Sequence, residues 1–139
     1  MVTHALSQRP RVLIAEDDDS LRRLIEMRLA ADGFELRCAE DGVRALEEMA
    51  DWTPHVAVCD VMMPRLSGLS VVRTMRTREA TRSVPVVLLT ARCFDEDIQD
   101  VMELGGVTYM PKPFDFAHLC TTIRGLLSES EATVEGSLR

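Results

Sequence analysis

Val56-Ala57-Val58-Cys59-Asp60 is four apolar residues closed by an acid. The pattern returns along the chain. Val12-Leu13-Ile14-Ala15 runs into Glu16-Asp17-Asp18-Asp19, and Val86-Val87-Leu88-Leu89 runs into Thr90. Val107-Thr108-Tyr109-Met110 runs into Pro111-Lys112-Pro113-Phe114. Continuous apolar runs of this length suit strands buried on both faces of a parallel sheet. Strands of such a sheet all end at one edge, and ligands bind in the crevice outside it. Glu16, Asp17, Asp60, Thr90 and Lys112, scattered in sequence, are therefore expected to converge.

Between these runs lie helical patterns, starting near Ser20, Gly42, Ser67, Asp95 and Asp115. Leu21, Leu24, Ile25 and Leu29 have helical spacing, as do Phe116, Leu119, Ile123, Leu126 and Leu127. Ile98, Val101 and Met102 precede Gly105-Gly106, a suitable helix end. Asp18, Asp19 and Ser20 stand where helix caps are favoured. Phe34-Glu35-Leu36-Arg37-Cys38 alternates, so this strand has one wet face and belongs at a sheet edge. Strict alternation of strand and helix predicts a doubly wound α/β domain with a parallel five-stranded sheet, (βα)5.

A chain of 139 residues suffices for one domain with a core and is too short for two. Its net charge of −7 argues against direct nucleic-acid binding, which needs a basic face. It has no long apolar segment for a membrane span and no signal-peptide pattern. Cys38, Cys59, Cys93 and Cys120 lack metal-type spacing, and His4, His55 and His118 form no cluster. The expectation is a reduced, cytoplasmic protein. Residues 1–10 read as a loose leader, 11–128 as the folded domain, and 129–139 as a polar tail or linker.

Lys112 is the single lysine beside 15 arginines. Arg presents a wide planar fork, whereas Lys presents a compact ammonium. A lysine here, framed by Pro111 and Pro113, suggests a site with room for a point charge.

With these residues in place, the chain resembles the receiver domain of bacterial two-component response regulators. The likeness spans residues 10 to 128. It rests on Glu16-Asp17 after the first strand, Asp60-Val61-Met62-Met63-Pro64 followed by Gly68, Thr90-Ala91, and Tyr109 three residues before Lys112-Pro113-Phe114. The resemblance implies the flavodoxin-like strand order 2-1-3-4-5, with helices on both faces. It implies that Asp60 accepts a phosphoryl group from a phosphohistidine on a sensor histidine kinase or phosphotransfer protein. Glu16, Asp17, Asp60 and the backbone carbonyl of Met62 would hold Mg²⁺. Thr90 and Lys112 would contact the phosphoryl oxygens, and Tyr109 would be the aromatic switch. The Lys112-Pro113 bond is expected to be cis on the same ground.

The residue chemistry supports this independently. Clustered carboxylates repel unless a cation joins them, and Mg²⁺ takes oxygen ligands and bridges carboxylate to phosphate. A carboxylate nucleophile forms an acyl phosphate. Three rivals stay open. An aspartyl-phosphate hydrolase would need an acid two residues after the nucleophile, where Met62 stands. A flavin-binding module would need a phosphate-cradling loop after the first strand, where four acids repel phosphate. A receiver-like scaffold that is never phosphorylated would not need the whole residue set. Met62 and Arg92, two residues after Asp60 and Thr90, should tune phosphoryl lifetime.

In receivers the fourth helix, fifth strand and fifth helix form the usual signalling face. Charge pairs across that face in the winged-helix DNA-binding regulators are missing here, where Ile98, Val107, Thr108, His118 and Thr122 stand. The expectation is a neutral, partly apolar face bearing Ile98, Val107 and Cys120. The protein would be a monomer or weak dimer acting on a separate downstream protein, or preceding an output domain of another kind.

Overall fold

The computed structural model describes residues 9–91 and 95–138. Residues 1–8 of the expected leader, Arg92, Cys93 and Phe94, and Arg139 lie outside the described residues. Five strands are formed: β1 (Arg11–Ala15), β2 (Glu35–Ala39), β3 (Val56–Asp60), β4 (Val86–Thr90) and β5 (Val107–Pro111). Five helices alternate with them: α1 (Asp19–Ala31), α2 (Gly42–Asp51), α3 (Gly68–Thr77), α4 (Glu96–Met102) and α5 (Phe116–Leu138). All neighbouring strands are parallel, in the order β2-β1-β3-β4-β5. This is the doubly wound parallel sheet that the alternation predicts, in the flavodoxin-like strand order that the resemblance implies.

Side-chain alternation along each strand sorts the core into two layers. Leu13, Ala57, Cys59 and Leu88 pack with residues of α2, α3 and α4 on one face. Ile14, Val58, Val87 and Leu89 pack with Ile25 and Leu29 of α1 and Leu119 and Ile123 of α5 on the other. Both faces of β3 and β4 are thereby covered, which is why these strands are apolar throughout.

β2 lies at an edge, as its alternating sequence implies. β5 is the other edge, and Val107, Thr108 and Tyr109 are only half-buried. Its apolar run had suggested burial on both faces. An open sheet has two edges, and packing of α4 and α5 leaves the outer flank of β5 partly wet.

Helix starts follow their capping residues. Asp18, Asp41, Ser67 and Asp95 each accept a main-chain N–H from the first turn of α1, α2, α3 and α4, respectively. The expected apolar signalling face requires correction. Ile98 is fully buried and Cys120 is nearly so, because the helical repeat turns both inward. The outer side of α4 instead exposes Glu96, Asp97 and Asp100, with Glu103 exposed at its C-cap. α5 continues past residue 128 to Leu138. Among the described residues, no helix is long and apolar enough to cross a membrane.

Candidate functional site

Strand register assembles the site. Ala15 pairs with Cys59, so Glu16 emerges beside Asp60. Asp60 pairs with Leu89, which puts Thr90 one step beyond on the next strand. Thr90 pairs with Pro111, so Lys112 follows at the same edge. The Lys112 N–H donates to the Thr90 carbonyl at 2.8 Å, extending the ladder by one bond. The Lys112–Pro113 peptide is cis.

The Lys112 ammonium donates to Glu16 Oε1 at 2.7 Å and to Asp60 Oδ2 at 2.6 Å. The main-chain N–H of Met62 holds the other Asp60 oxygen, Oδ1, at 3.0 Å. Asp18 N–H donates to Glu16 Oε2 at 3.1 Å. Arg22 closes the β1–α1 turn, reaching the Glu16 carbonyl at 2.9 Å and Asp19 at 2.6 Å. Glu16, Asp60 and Thr90 are buried, while Asp17 is exposed.

Electrostatics follow from burying two acids around one base. Burial pushes the Glu16 carboxyl up to about 7, against the pull of Lys112 and the Asp18 N–H, and Asp60 pushes the same way. Burial alone would lower the Lys112 ammonium, but its bonds to Asp60 and Glu16 outweigh that and raise it. Behind the site, burial and then the Asp60 charge push the Cys59 thiol up to about 12. Cys59 is thus a core residue whose thiolate form is strongly disfavoured.

Glu16, Asp17 and Asp60 each offer a carboxylate oxygen, all within 4.8 Å of one another. An all-oxygen donor set of this kind suits a hard divalent cation such as Mg²⁺. An ammonium bridging two of the three acids shows that the cluster calls for positive charge, so the residues fit the ion.

Thr90 and Leu88 share a sheet face, and Tyr109 is paired with Leu88 and packs on that same layer. The expected switch pair therefore occupies adjacent strands on one face. A cleft of about 350 Å³ beside the site is lined by Leu21, Ala91, Lys112, Pro113, Phe114 and Phe116. A larger one, about 650 Å³, lies at the opposite edge of the sheet near Arg9, His55 and Arg124, away from the carboxylates.

Asp41 and Arg65 were not singled out from sequence. Asp41 follows β2 as Asp60 closes β3, and it is buried at 4% exposure. The strand-end rule could have found it. Arg65 gave no sequence signal, since its left-handed backbone, φ 66°, appears only in the fold.

Fold and site together define a flavodoxin-like α/β module with acids and one lysine gathered at the carboxyl edge of its sheet. Residues 12–124 match the response regulator receiver domain, and the chain belongs to that family. The transcriptional regulatory protein CseB of Streptomyces coelicolor is 37% identical over 122 residues, 88% of this chain and 51% of that protein. The response regulator MprA of Mycobacterium ulcerans is 36% identical over 121 residues, 87% of this chain and 51% of that protein. The chain therefore spans about half the length of these curated relatives. Among solved structures, the Francisella response regulator 1452 receiver domain superposes with a TM-score of 0.80 at 29% identity, covering 88% of this chain and 99% of that one. The Vibrio cholerae chemotaxis protein CheY4 superposes with a TM-score of 0.79 at 27% identity, covering 86% and 99%. Receiver domains of response regulators are phosphorylation-dependent signalling modules, and this chain is one by membership.

Proposed function

We propose that Asp60 is the phosphoacceptor, taking a phosphoryl group from a phosphohistidine of a sensor histidine kinase or phosphotransfer protein. The observation that carries this is the bridging of buried Asp60 and Glu16 by Lys112 at the carboxyl edge of the sheet. An Asp60 oxygen forms the new P–O bond as the P–N bond to the donor imidazole breaks. The imidazole leaves neutral, having carried a proton on its other nitrogen. Catalysis of this transfer is positioning plus neutralisation of charge on the equatorial oxygens.

Glu16, Asp17, Asp60 and the Met62 carbonyl would hold Mg²⁺, which would neutralise carboxylate and phosphoryl charge. The chain's own residues do the rest. The Met62 N–H fixes Asp60 Oδ1 and leaves Oδ2 as the oxygen to react once Lys112 turns to the phosphoryl group. Thr90 contributes its hydroxyl to the same oxygens. The new group adds about 1.5 to 2 negative charges. Drawing Thr90 toward that charge opens space on the layer Tyr109 shares, and Tyr109 turns inward. The α4–β5–α5 face then changes and controls a partner or an output domain. Autodephosphorylation resets the switch, with no turnover of an external substrate.

Exposure to a small phosphodonor with Mg²⁺ tests this. Aspartyl phosphate, labile to acid and to base as an acyl phosphate, is expected on wild-type protein and should vanish in Asp60→Asn and on chelation. Undiminished labelling of Asp60→Asn would overturn the assignment.

A further inference from the structure

We propose that the Asp41–Arg65 ion pair is a positioning latch for the phosphorylation site, holding the β3–α3 loop so that Met62 stays on Asp60. This rests on the receiver reading above and adds to it two residues that touch neither phosphate nor metal.

The β3–α3 loop, residues 61–67, leaves directly from Asp60. Its Met62 N–H orients the nucleophile at 3.0 Å, and on the proposed reading its Met62 carbonyl faces the cation. The position of this loop therefore sets the geometry of the nucleophile. Several contacts hold it, among them the following. At its start, Val61 N–H donates to the Leu89 carbonyl. At its end, Gly68 lies so close that a Cβ there would sit 2.2 Å from the Asp60 carbonyl oxygen. At its crest, Arg65 Nη1 reaches Asp41 Oδ2 at 3.1 Å.

The crest attachment is the one made by side chains. Arg65 is held at φ 66°, a conformation that costs a non-glycine residue energy and persists when surroundings over-determine it. Asp41 supplies that restraint from a fixed base. It is buried, and its other oxygen caps α2 by accepting Arg44 N–H at 2.7 Å. Next to it, a Cβ on Gly42 would sit 2.2 Å from the Leu66 carbonyl oxygen, so the loop rests directly on the start of α2. A buried carboxylate anchored to a helix cap makes a stiffer tether than two exposed side chains would. Groups that orient the ligands of a metal are commonly as decisive as the ligands.

Two substitutions separate this role from general stability. Arg65→Asn suits left-handed backbone but is too short to reach Asp41. Asp41→Asn still caps α2 and loses the charge. Each is expected to speed amide exchange at Met62 in metal-free protein and to weaken Mg²⁺ binding roughly tenfold. The double variant should be no worse than either single one, because one interaction is lost in all three. Arg65→Lys, which restores the charge, should recover most of both. Unchanged Met62 exchange and Mg²⁺ affinity in both single variants would overturn the latch, as would fully additive effects. Wild-type protein that neither binds Mg²⁺ nor labels on Asp60 would overturn the receiver reading instead, and the metal-free exchange would still decide the latch.

Discussion

Lys112 Nζ lies 2.6 Å from Asp60 Oδ2, across 52 positions of sequence. The same ammonium lies 2.7 Å from Glu16 Oε1, so a single cation serves two buried acids from different strands. Replacing it with Met leaves those acids facing each other. We expect Lys112→Met to lose about 1–3 kcal/mol of stability without divalent cation. Mg²⁺ should then raise the melting temperature more in the variant than in wild type, because it no longer competes with an ammonium. An equal or smaller Mg²⁺-dependent shift would contradict this.

Lys112→Arg should not be conservative. The guanidinium is wide and planar, and the prolines on both sides hold the backbone in place. Mg²⁺ binding should be largely kept, because the carboxylates are untouched. Phosphorylation-driven partner binding should fall, and a binding assay with and without phosphodonor would show a wild-type response if this is wrong.

The Glu16 shift has a definite sign. Its carboxyl is pushed up from 4.5 to about 7 in the folded protein, chiefly by burial. Its contribution to stability is thus complete below 4.5 and lost as pH rises through about 7. Without cation, the protein should be less stable at about pH 8 than at about pH 6 as far as this group governs. Mg²⁺ must displace that proton, so its affinity should rise over the same window, by at most about tenfold per pH unit. Calorimetric titration in buffers of different ionisation enthalpy would register the released proton; a pH-independent affinity would count against it.

Two glycines should respond oppositely to alanine. A Cβ at Gly68 would sit 2.2 Å from the Asp60 carbonyl oxygen, which is backbone and cannot step aside. Gly68→Ala should cost about 1–3 kcal/mol and reduce labelling of Asp60. Gly125 lies within α5 with nothing within 4 Å of an added Cβ. Gly125→Ala should stabilise the protein by about 0.5–1 kcal/mol and leave labelling unchanged. Chemical denaturation of the pair would expose the contrast or its absence.

Cys59 should be chemically silent. Its thiol is fully buried and pushed up to about 12, so the thiolate is negligible in ordinary buffers. Alkylation of its peptide in native protein at about pH 9 should be far slower than after unfolding, as read by mass spectrometry. Ready native labelling would mean that β3 opens more easily than its packing implies.

Much of this protein was determined in one dimension. The apolar runs, their terminal acids and the helical spacings each follow from local periodicity, which a linear chain carries in full. Hence the five strands, the edge position of β2 and the convergence of Glu16, Asp17, Asp60, Thr90 and Lys112 could be anticipated. Tertiary structure decided what depends on direction and on neighbours remote in sequence. Ile98 and Cys120, expected on the signalling face, turn inward because burial is settled by which side of a helix meets the sheet. β5 became a half-wet edge through its place in the strand order, which its own residues do not encode. The hold of Asp41 on Arg65 spans 24 positions and comes from a residue in left-handed backbone. Such a contact depends on backbone geometry at one point and charge at another, and only the folded chain brings the two together.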